Sequence, residues 1–136
     1  MQDNTRIVQD AYAAFARGDV QTLLGYFDDN IVWKPVTGAG AHVPTAGERR
    51  GKAAVGEFFK TVSETVNFER FEPREFVAEK DKVVALGYYT AKAPTGRRFE
   101  SDFVMVFTLR DGKVVQFQEF SDSAAINAAY DAVVGV

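Results

Sequence analysis

The chain has 136 residues, 46% of them hydrophobic, with a formal net charge of −3 at pH 7, so we expect one domain over residues 1–136 with a substantial core. It contains no cysteine, which excludes disulfides, thiolate metal sites and cysteine nucleophiles, and its acidic balance argues against a nucleic-acid partner. No basic leader and no run of about 20 apolar residues occurs, which predicts a cytoplasmic protein without a membrane partner.

Three helices are predicted before any long strand. Over residues 5–17, apolar residues recur every three or four positions, as on one face of a helix. Asp19 is a suitable N-cap for a short second helix. A short strand at residues 31–33 ends near Pro35, and helical spacing returns over residues 53–63.

A long loop is predicted at residues 37–51, which hold four glycines and one proline without periodicity. Loops of this length are usually functional or mobile. The loop carries His42, the only histidine, which could titrate near neutral pH and is a candidate substrate-binding residue. One histidine without cysteine does not make a metal site. We expect neither a metal nor an organic cofactor.

The second half of the chain has the alternation of strands. Four strands are predicted, over residues 74–78, 83–91, 98–109 and 113–120, and Asp111-Gly112 between the last two is a strong hairpin signal. The alanine-rich residues 123–134 predict a closing helix capped by Asp122 or Ser123. Helices followed by a meander indicate an α+β fold with the helices on one sheet face.

Several short phrases carry a family resemblance over nearly the whole chain. They are Tyr12-Ala13-Ala14-Phe15 with Gly18-Asp19, Asp29-Asn30-Ile31-Val32-Trp33, Gly51 before Phe58-Phe59, Arg110-Asp111-Gly112-Lys113-Val114-Val115, and Asp122-Ser123-Ala124-Ala125. In this order they resemble the ketosteroid isomerase-like, or SnoaL-like, families of the nuclear transport factor 2-like superfamily. The resemblance implies a cone: a curved mixed or antiparallel sheet around three N-terminal helices (cystatin-like), with an apolar interior and frequently a homodimer.

The resemblance does not extend to the catalytic residues of ketosteroid isomerase. That enzyme uses an Asp base, a Tyr donor and a protonated Asp donor. The corresponding positions here are Lys34, Ala11 and Met105, and none of them matches. We therefore expect no steroid isomerisation by that mechanism, and the function has to be argued from the pocket.

Strand alternation predicts which side chains face the cavity. With the family's inward positions, residues 101, 103, 105, 107 and 109 line the concave face, as do 115, 117, 119 and 121. Phe103, Met105 and Phe117 are thus candidate binding residues. Glu119 is a carboxylate on an apolar face, so its pKa should rise and it is a candidate general acid or base, unless it bonds Arg or Tyr at the mouth.

Other candidates are less specific. Asp122 is a second catalytic candidate, although an Asp at a helix start usually accepts backbone N–H bonds as an N-cap. Lys34 could bind a substrate anion, pair with Glu119 or extend into water. Tyr12 on the first helix and Trp33 on the first strand are candidate binding residues. Tyr88 is another candidate, although the sequence does not say which of Tyr88 and Tyr89 faces inward.

Apolar residues also fall on the outward face of the predicted sheet. Val104, Val106, Val114 and Phe120 predict a homodimer through that face. The preferred function is a cofactor-free acid–base enzyme (isomerase, cyclase, dehydratase or hydrolase) that acts on a small apolar metabolite. The alternatives are a non-catalytic binder of such a molecule and a structural dimerisation module.

Overall fold

The computed structural model describes residues 3–131. Its helices are α1 (Asn4–Ala16), α2 (Val20–Gly25), α3 (Lys52–Thr65) and α4 (Ser123–Tyr130). Its strands are β1 (Phe27–Lys34), β2 (Arg49–Arg50), β3 (Asn67–Glu79), β4 (Lys82–Lys92), β5 (Arg98–Arg110) and β6 (Lys113–Phe120). Among these helices none has the length and apolar character needed to cross a bilayer.

The six strands form one curved, unclosed mixed sheet in the order β2-β1-β6-β5-β4-β3. Only β1 and β6 run parallel, and every other neighbouring pair is antiparallel. Register shifts between Phe68 and Arg70 and between Pro73 and Glu75 mark bulges in β3, and bulges bend a sheet. Helices α1 and α3 pack on the concave side, which confirms the predicted α+β fold.

The strands are longer than predicted at two places. Residues 28–30, which resemble a turn, belong to β1, whose first residue pairs with Val114 of β6. β3 extends over 13 residues, whereas only residues 74–78 are predicted as a strand. It lies at the edge of the sheet and most of its side chains are exposed, so its hydrophobic alternation is weak in the sequence. The predicted closing helix is present as α4 up to Tyr130; its predicted continuation past residue 131 lies outside the described residues.

Alternation predicts the inner face of β5 correctly but fails at the start of β6. Residues 101, 103, 105, 107 and 109 are all buried. Two consecutive residues of β5, Thr108 and Leu109, pair with Gln116 and Val114 of β6. Val115 between them has no partner and is therefore an extra, bulged residue. The prediction that Val115 faces inward and Val114 outward is therefore wrong. Val114 is 0% exposed and belongs to the hydrophobic core of the domain.

Candidate functional site

The concave face of the sheet encloses a cavity with α1, α2 and α3. The larger part holds about 570 Å³ of empty space, including the open space at its mouth. Ten of its fifteen lining residues are aromatic, and Glu119 supplies the only carboxyl. We call this part the aromatic chamber. Residues specific to it include Tyr12, Phe15, Phe27, Trp33, Phe107 and Phe117.

A second chamber of about 430 Å³, again including open space, adjoins the first. Its own walls come from the long loop, the end of α3, β4, β5 and α4, and include Val36, Thr45, Val66, Tyr89, Ile126 and Tyr130. The two chambers share Glu119 and Met105 on the sheet and aromatic residues of α3 and β3. They are therefore two parts of one cavity that meet at Glu119.

Glu119 lies at that junction, 7% exposed, on β6. The structure thus places the Glu119 side chain in the apolar cavity, as strand alternation predicts. Burial raises the pKa of its carboxyl above the ordinary value, and bonds from the Ser121 hydroxyl and the Val36 backbone N–H offset part of the rise. Val36 has a φ of 37°, a strained value for a β-branched residue, beside the carboxyl. No Lys, Arg or His among residues 3–131 forms an ion pair with Glu119.

Hydroxyl groups connect Glu119 with the neighbouring strands β4 and β5. Ser121 Oγ donates to Glu119 Oε2 at 2.7 Å. The Tyr89 hydroxyl interacts with Ser121 and Ser101, and Ser101 Oγ accepts from the backbone N–H of Asp122 at 2.8 Å. The carboxyl therefore accepts hydrogen bonds from the Ser121 hydroxyl and the Val36 backbone N–H, and its side chain lines both chambers.

Ser121→Ala is expected to raise the pKa of Glu119 further, because it removes the hydroxyl that stabilises the ionised carboxylate. A pH titration of the side-chain carboxyl carbon by NMR would measure the change. Ser63→Ala, at an exposed position of α3, is the matched control. An unchanged midpoint in Ser121→Ala would show that this hydrogen bond does not tune the acid.

Tyr12 presents a hydroxyl to the aromatic chamber. Within the described part of the chain, its only hydrogen-bond partner is the Met105 thioether sulfur, a weak acceptor, at 2.9 Å. Burial, with a smaller contribution from the Glu119 charge, raises the pKa of Tyr12 well above its ordinary value. The Tyr12 hydroxyl is therefore a neutral donor. It can donate to a ligand oxygen, a stronger acceptor than the Met105 sulfur.

Trp33 forms a flat wall of the same chamber. Its ring stacks on Phe117 with centroids 3.8 Å apart and an angle of 15° between the planes. The side chain is 4% exposed, and its indole N–H has no hydrogen-bond partner among residues 3–131. Buried donors are normally paired, so this N–H is an unused donor in the wall of the cavity.

Two predicted site residues belong to the loop and to α4 instead of the cavity. Asp122 is exposed and caps α4, accepting from the Ala125 backbone N–H at 3.0 Å, so the prediction of a catalytic role has no support in its position. His42 Nε2 lies 3.0 Å from the Asn127 carbonyl oxygen and 3.0 Å from Asp131 Oδ1. His42 therefore fastens the long loop to α4, outside both chambers.

Three other predicted binding residues do not line either chamber: Tyr88, Phe103 and Lys34. Tyr88 lies on the outer face, where its hydroxyl donates to Glu100 Oε2 at 2.5 Å, and Tyr89 is the inward tyrosine. Phe103 faces inward but packs behind the cavity wall, against Phe71.

Lys34 is half-buried on the opposite side of β1 from Trp33, and it forms no ion pair with Glu119. Adjacent strand residues point to opposite faces, so an inward Trp33 requires an outward Lys34. The suggested pairing of Lys34 with Glu119 is therefore wrong.

The structure adds residues to the site that the sequence did not single out. Thr45 and Tyr130 come from the long loop and from α4, and no local pattern predicts that these segments meet. Tyr89 could have been assigned, because the hairpin register pairs it with inward-facing Ser101. Among residues 3–131, no group of three His, Asp or Glu side chains is placed to hold a metal ion.

Comparison with known proteins identifies the class. The SnoaL-like domain family matches residues 8–117, so the chain belongs to that family. An NTF2-like protein from Burkholderia xenovorans is 35% identical, with a TM-score of 0.84 over 94% of this chain and 95% of that one. An NTF2-like protein of unknown function from Burkholderia pseudomallei is 26% identical, with a TM-score of 0.87 over 97% and 100%.

A further solved relative has been crystallised with an organic molecule. TerC, co-crystallised with polyporic acid, is 27% identical, with a TM-score of 0.83 over 95% of this chain and 98% of that one. No protein of curated function matches the chain. The family is thus established, and the activity has to be argued from the cavity.

Proposed function

We propose that the cavity binds a small, largely apolar organic molecule that carries an oxygen atom, and that Glu119 meets this oxygen as a proton donor. The observation that carries the proposal is a carboxyl only 7% exposed, among aromatic side chains, without an ion-pair partner in residues 3–131. Burial disfavours the charged form, so the protonated acid is the stabilised state.

The hydrogen bonds of Glu119 favour this role. Ser121 already donates to one carboxyl oxygen. A protonated carboxyl has one O–H donor and remaining acceptor capacity, so the other oxygen can donate to a ligand. Tyr12 and Trp33 contribute two further donors without strong partners. Such a site suits a carbonyl, enol or hydroxyl oxygen, where proton donation would promote enolisation, isomerisation, cyclisation or dehydration.

The relative TerC supports a small-molecule ligand, because it was co-crystallised with polyporic acid, an organic molecule. The aromatic lining of this chain suits a flat, apolar ligand by shape and by the apolar area that binding would bury. We infer the ligand class from the lining of this chain and not from the identity of that compound.

One observation favours the second candidate, a non-catalytic binding module. Apart from Glu119, the titratable groups lining the chambers are the tyrosines Tyr12, Tyr89 and Tyr130, and burial raises the pKa of each. Proton abstraction from carbon would then have to use Glu119 itself or water. A protein that binds its ligand without catalysing a reaction needs no second titratable group.

The proton state of Glu119 is the direct test. Protein labelled with ¹³C at glutamate carboxyl carbons is titrated by NMR, and the Glu119 signal is assigned from its loss in Glu119→Gln. We expect a midpoint above the ordinary value of 4.5, because burial penalises the carboxylate. A midpoint at or below 4.5 would mean that burial does not stabilise the protonated carboxyl, and the donor role would be wrong.

Catalysis is separated from binding by deuterium exchange. An acid catalyst that donates to a ketone oxygen speeds enolisation, in which the α-carbon loses a proton to water and regains a deuteron from D₂O. We expect exchange of acetophenone methyl hydrogens to be faster with the protein than with Glu119→Gln. Equal rates, with acetophenone still bound, would favour the binding module.

We also propose a homodimer through the outer face of the sheet. Cross-strand pairs make its apolar residues continuous: Leu86 pairs with Val104, which pairs with Phe120, and Val84 pairs with Val106. Phe120 is 43% exposed. An apolar patch of this kind on a solvated sheet face is typical of a subunit contact, and a second copy presents the same patch.

Val104→Lys is expected to convert the dimer into a monomer at micromolar concentration, because two lysines would be buried across the symmetric contact. Sedimentation velocity measures the mass. Ala53→Lys, at an exposed position of α3, is the control and should leave the mass unchanged. A wild-type protein that sediments as a monomer would disprove the proposed contact.

A further inference from the structure

The cavity is divided, and its acid stands at the division. The aromatic chamber and the second chamber have separate walls but share Glu119, Met105 and four residues of α3 and β3. A carboxyl at the closed end of a single pocket would meet the end of a ligand. A carboxyl in the wall common to two chambers meets the middle of a ligand that occupies both.

The two chambers differ in chemistry. Seven of the nine residues specific to the aromatic chamber are rings, with Trp33 stacked flat on Phe117 and Phe107 packed at 63° to Phe117. The smaller second chamber combines aliphatic side chains with rings: Val36, Val66 and Ile126 with Tyr89, Phe99 and Tyr130. A planar ring therefore gains the most offset-stacked and edge contacts in the aromatic chamber. The second chamber accommodates a second apolar arm, aliphatic or aromatic.

The polar groups lie where a central oxygen would need them. The unpaired Trp33 N–H and the weakly bonded Tyr12 hydroxyl belong to the aromatic chamber, and Glu119 belongs to both. The Tyr89 hydroxyl belongs to the second chamber and is engaged by Ser121 and Ser101. The Thr45 hydroxyl also lines the second chamber, so both chambers hold hydroxyl groups. The one carboxyl lies at the junction, so the oxygen that it meets belongs on the atom that links ring and arm.

We propose that the natural ligand is a two-armed molecule: an aryl group for the aromatic chamber, a second apolar arm for the other chamber, and between them a carbon bearing the oxygen that Glu119 meets. This inference rests on the proposed function and specifies its substrate class. A long molecule with its oxygen at one end would leave either a chamber or the carboxyl unused.

Two isomeric ketones test the position of the oxygen at constant size. Benzyl phenyl ketone has a ring on each side of its central carbonyl and methylene, and para-acetylbiphenyl has both rings on one side. Each is titrated into ¹⁵N-labelled wild-type protein, with acetophenone as the one-armed reference. Trp33 is the only tryptophan, so its single indole N–H signal reports occupancy of the aromatic chamber.

We expect benzyl phenyl ketone to bind at least tenfold more tightly than para-acetylbiphenyl and to shift the Trp33 signal. Val66→Phe narrows only the second chamber, from a half-buried position. It should weaken benzyl phenyl ketone at least tenfold while acetophenone stays within about twofold. Val20→Phe, at a half-buried valine that lines neither chamber, is the matched control and should change neither affinity.

The outcomes separate the two proposals. If para-acetylbiphenyl binds as tightly as its isomer, or if Val66→Phe weakens benzyl phenyl ketone and acetophenone equally, the two-armed ligand is wrong while the apolar binding site stands. The isomer comparison uses wild-type protein, so it decides the question even if Val66→Phe does not fold. If no ketone moves the Trp33 signal or the Glu119 carboxyl signal, the proposed function fails, and the two-armed ligand with it.

Discussion

Gly87→Ala is expected to destabilise the protein by about 3 kcal/mol, at the upper end of the range for overpacking a core. A Cβ on Gly87 would meet the Phe103 ring and the Glu72 backbone oxygen closer than non-bonded atoms can approach. The ring could turn aside only at the expense of Phe71, against which it stacks with centroids 5.2 Å apart. The backbone oxygen belongs to the neighbouring strand and cannot turn aside.

Thermal unfolding measures the effect of Gly87→Ala. A loss of about 3 kcal/mol corresponds to a fall in melting temperature of roughly 10 °C for a domain of this size. Gly25→Ala is the matched control, because a Cβ there meets nothing within 4 Å and the residue closes helix α2 without a positive φ. Equal melting temperatures for the two variants would show that the sheet adjusts at Gly87.

The same substitution links the fold to the site. Phe71 lines both chambers, and Phe103 also packs on Tyr12, with ring centroids 6.5 Å apart. A displaced Phe103 would push these rings into the cavity. The glycine in β4 is therefore part of the cavity's construction, although it lies outside the cavity lining.

The long periodic elements could be predicted from sequence because their side chains face two clearly different environments. Helix α1 and strands β4 and β5 alternate between core and surface over many residues, and their predicted positions are confirmed. The position of Glu119 follows from the same alternation, because β6 is regular from Phe117 onward. A carboxylate among the inward-facing apolar residues of one strand can be recognised from the local sequence alone.

The rest of the site depends on events that a local pattern does not contain. One bulged residue, Val115, reverses the faces at the start of β6 and moves Val114 from the proposed dimer surface into the core. The second chamber forms where the long loop meets α4, through contacts such as His42 with Asn127. Neighbours that are 85 residues apart along the chain leave no periodic trace.

One inconsistency could have been found in the sequence itself. Trp33 and Lys34 were both candidate binding residues, but neighbours on a strand face opposite sides. Likewise, the hairpin register that pairs Lys92 with Arg98 pairs Tyr89 with Ser101, and this fixes Tyr88 outward once Ser101 is taken as inward. The inward faces of neighbouring strands are therefore fixed together by the register of their pairing.

Glu119→Gln is expected to make the protein more stable than wild type at neutral pH, with an advantage that disappears in acid. Burial raises the pKa of the native carboxyl above its ordinary value of 4.5, so the native state holds a proton that the unfolded state releases. Between those two pKa values the unfolded state binds fewer protons. Wild-type stability therefore falls with rising pH in that window, by up to about 1.4 kcal/mol per pH unit.

Below pH 4.5 the carboxyl is largely protonated in both states, and its contribution is fully present; above the native pKa the loss is complete and the profile levels off. The uncharged glutamine has no such window. Urea unfolding from pH 4 to pH 8 gives both profiles, and their difference cancels the titration of groups common to the two proteins. Glu57→Gln reports the same substitution at an exposed position of α3.

Parallel profiles for wild type and Glu119→Gln would mean that the Glu119 carboxyl has the same pKa folded and unfolded, and that the cavity does not act on it. A wild-type profile that loses stability toward acid relative to the variant would mean that the carboxylate is the stabilised form. The protein would then hold a buried base. The direction of the difference thus decides between proton donor and proton acceptor without any knowledge of the substrate, because it depends only on which protonation state the empty cavity prefers.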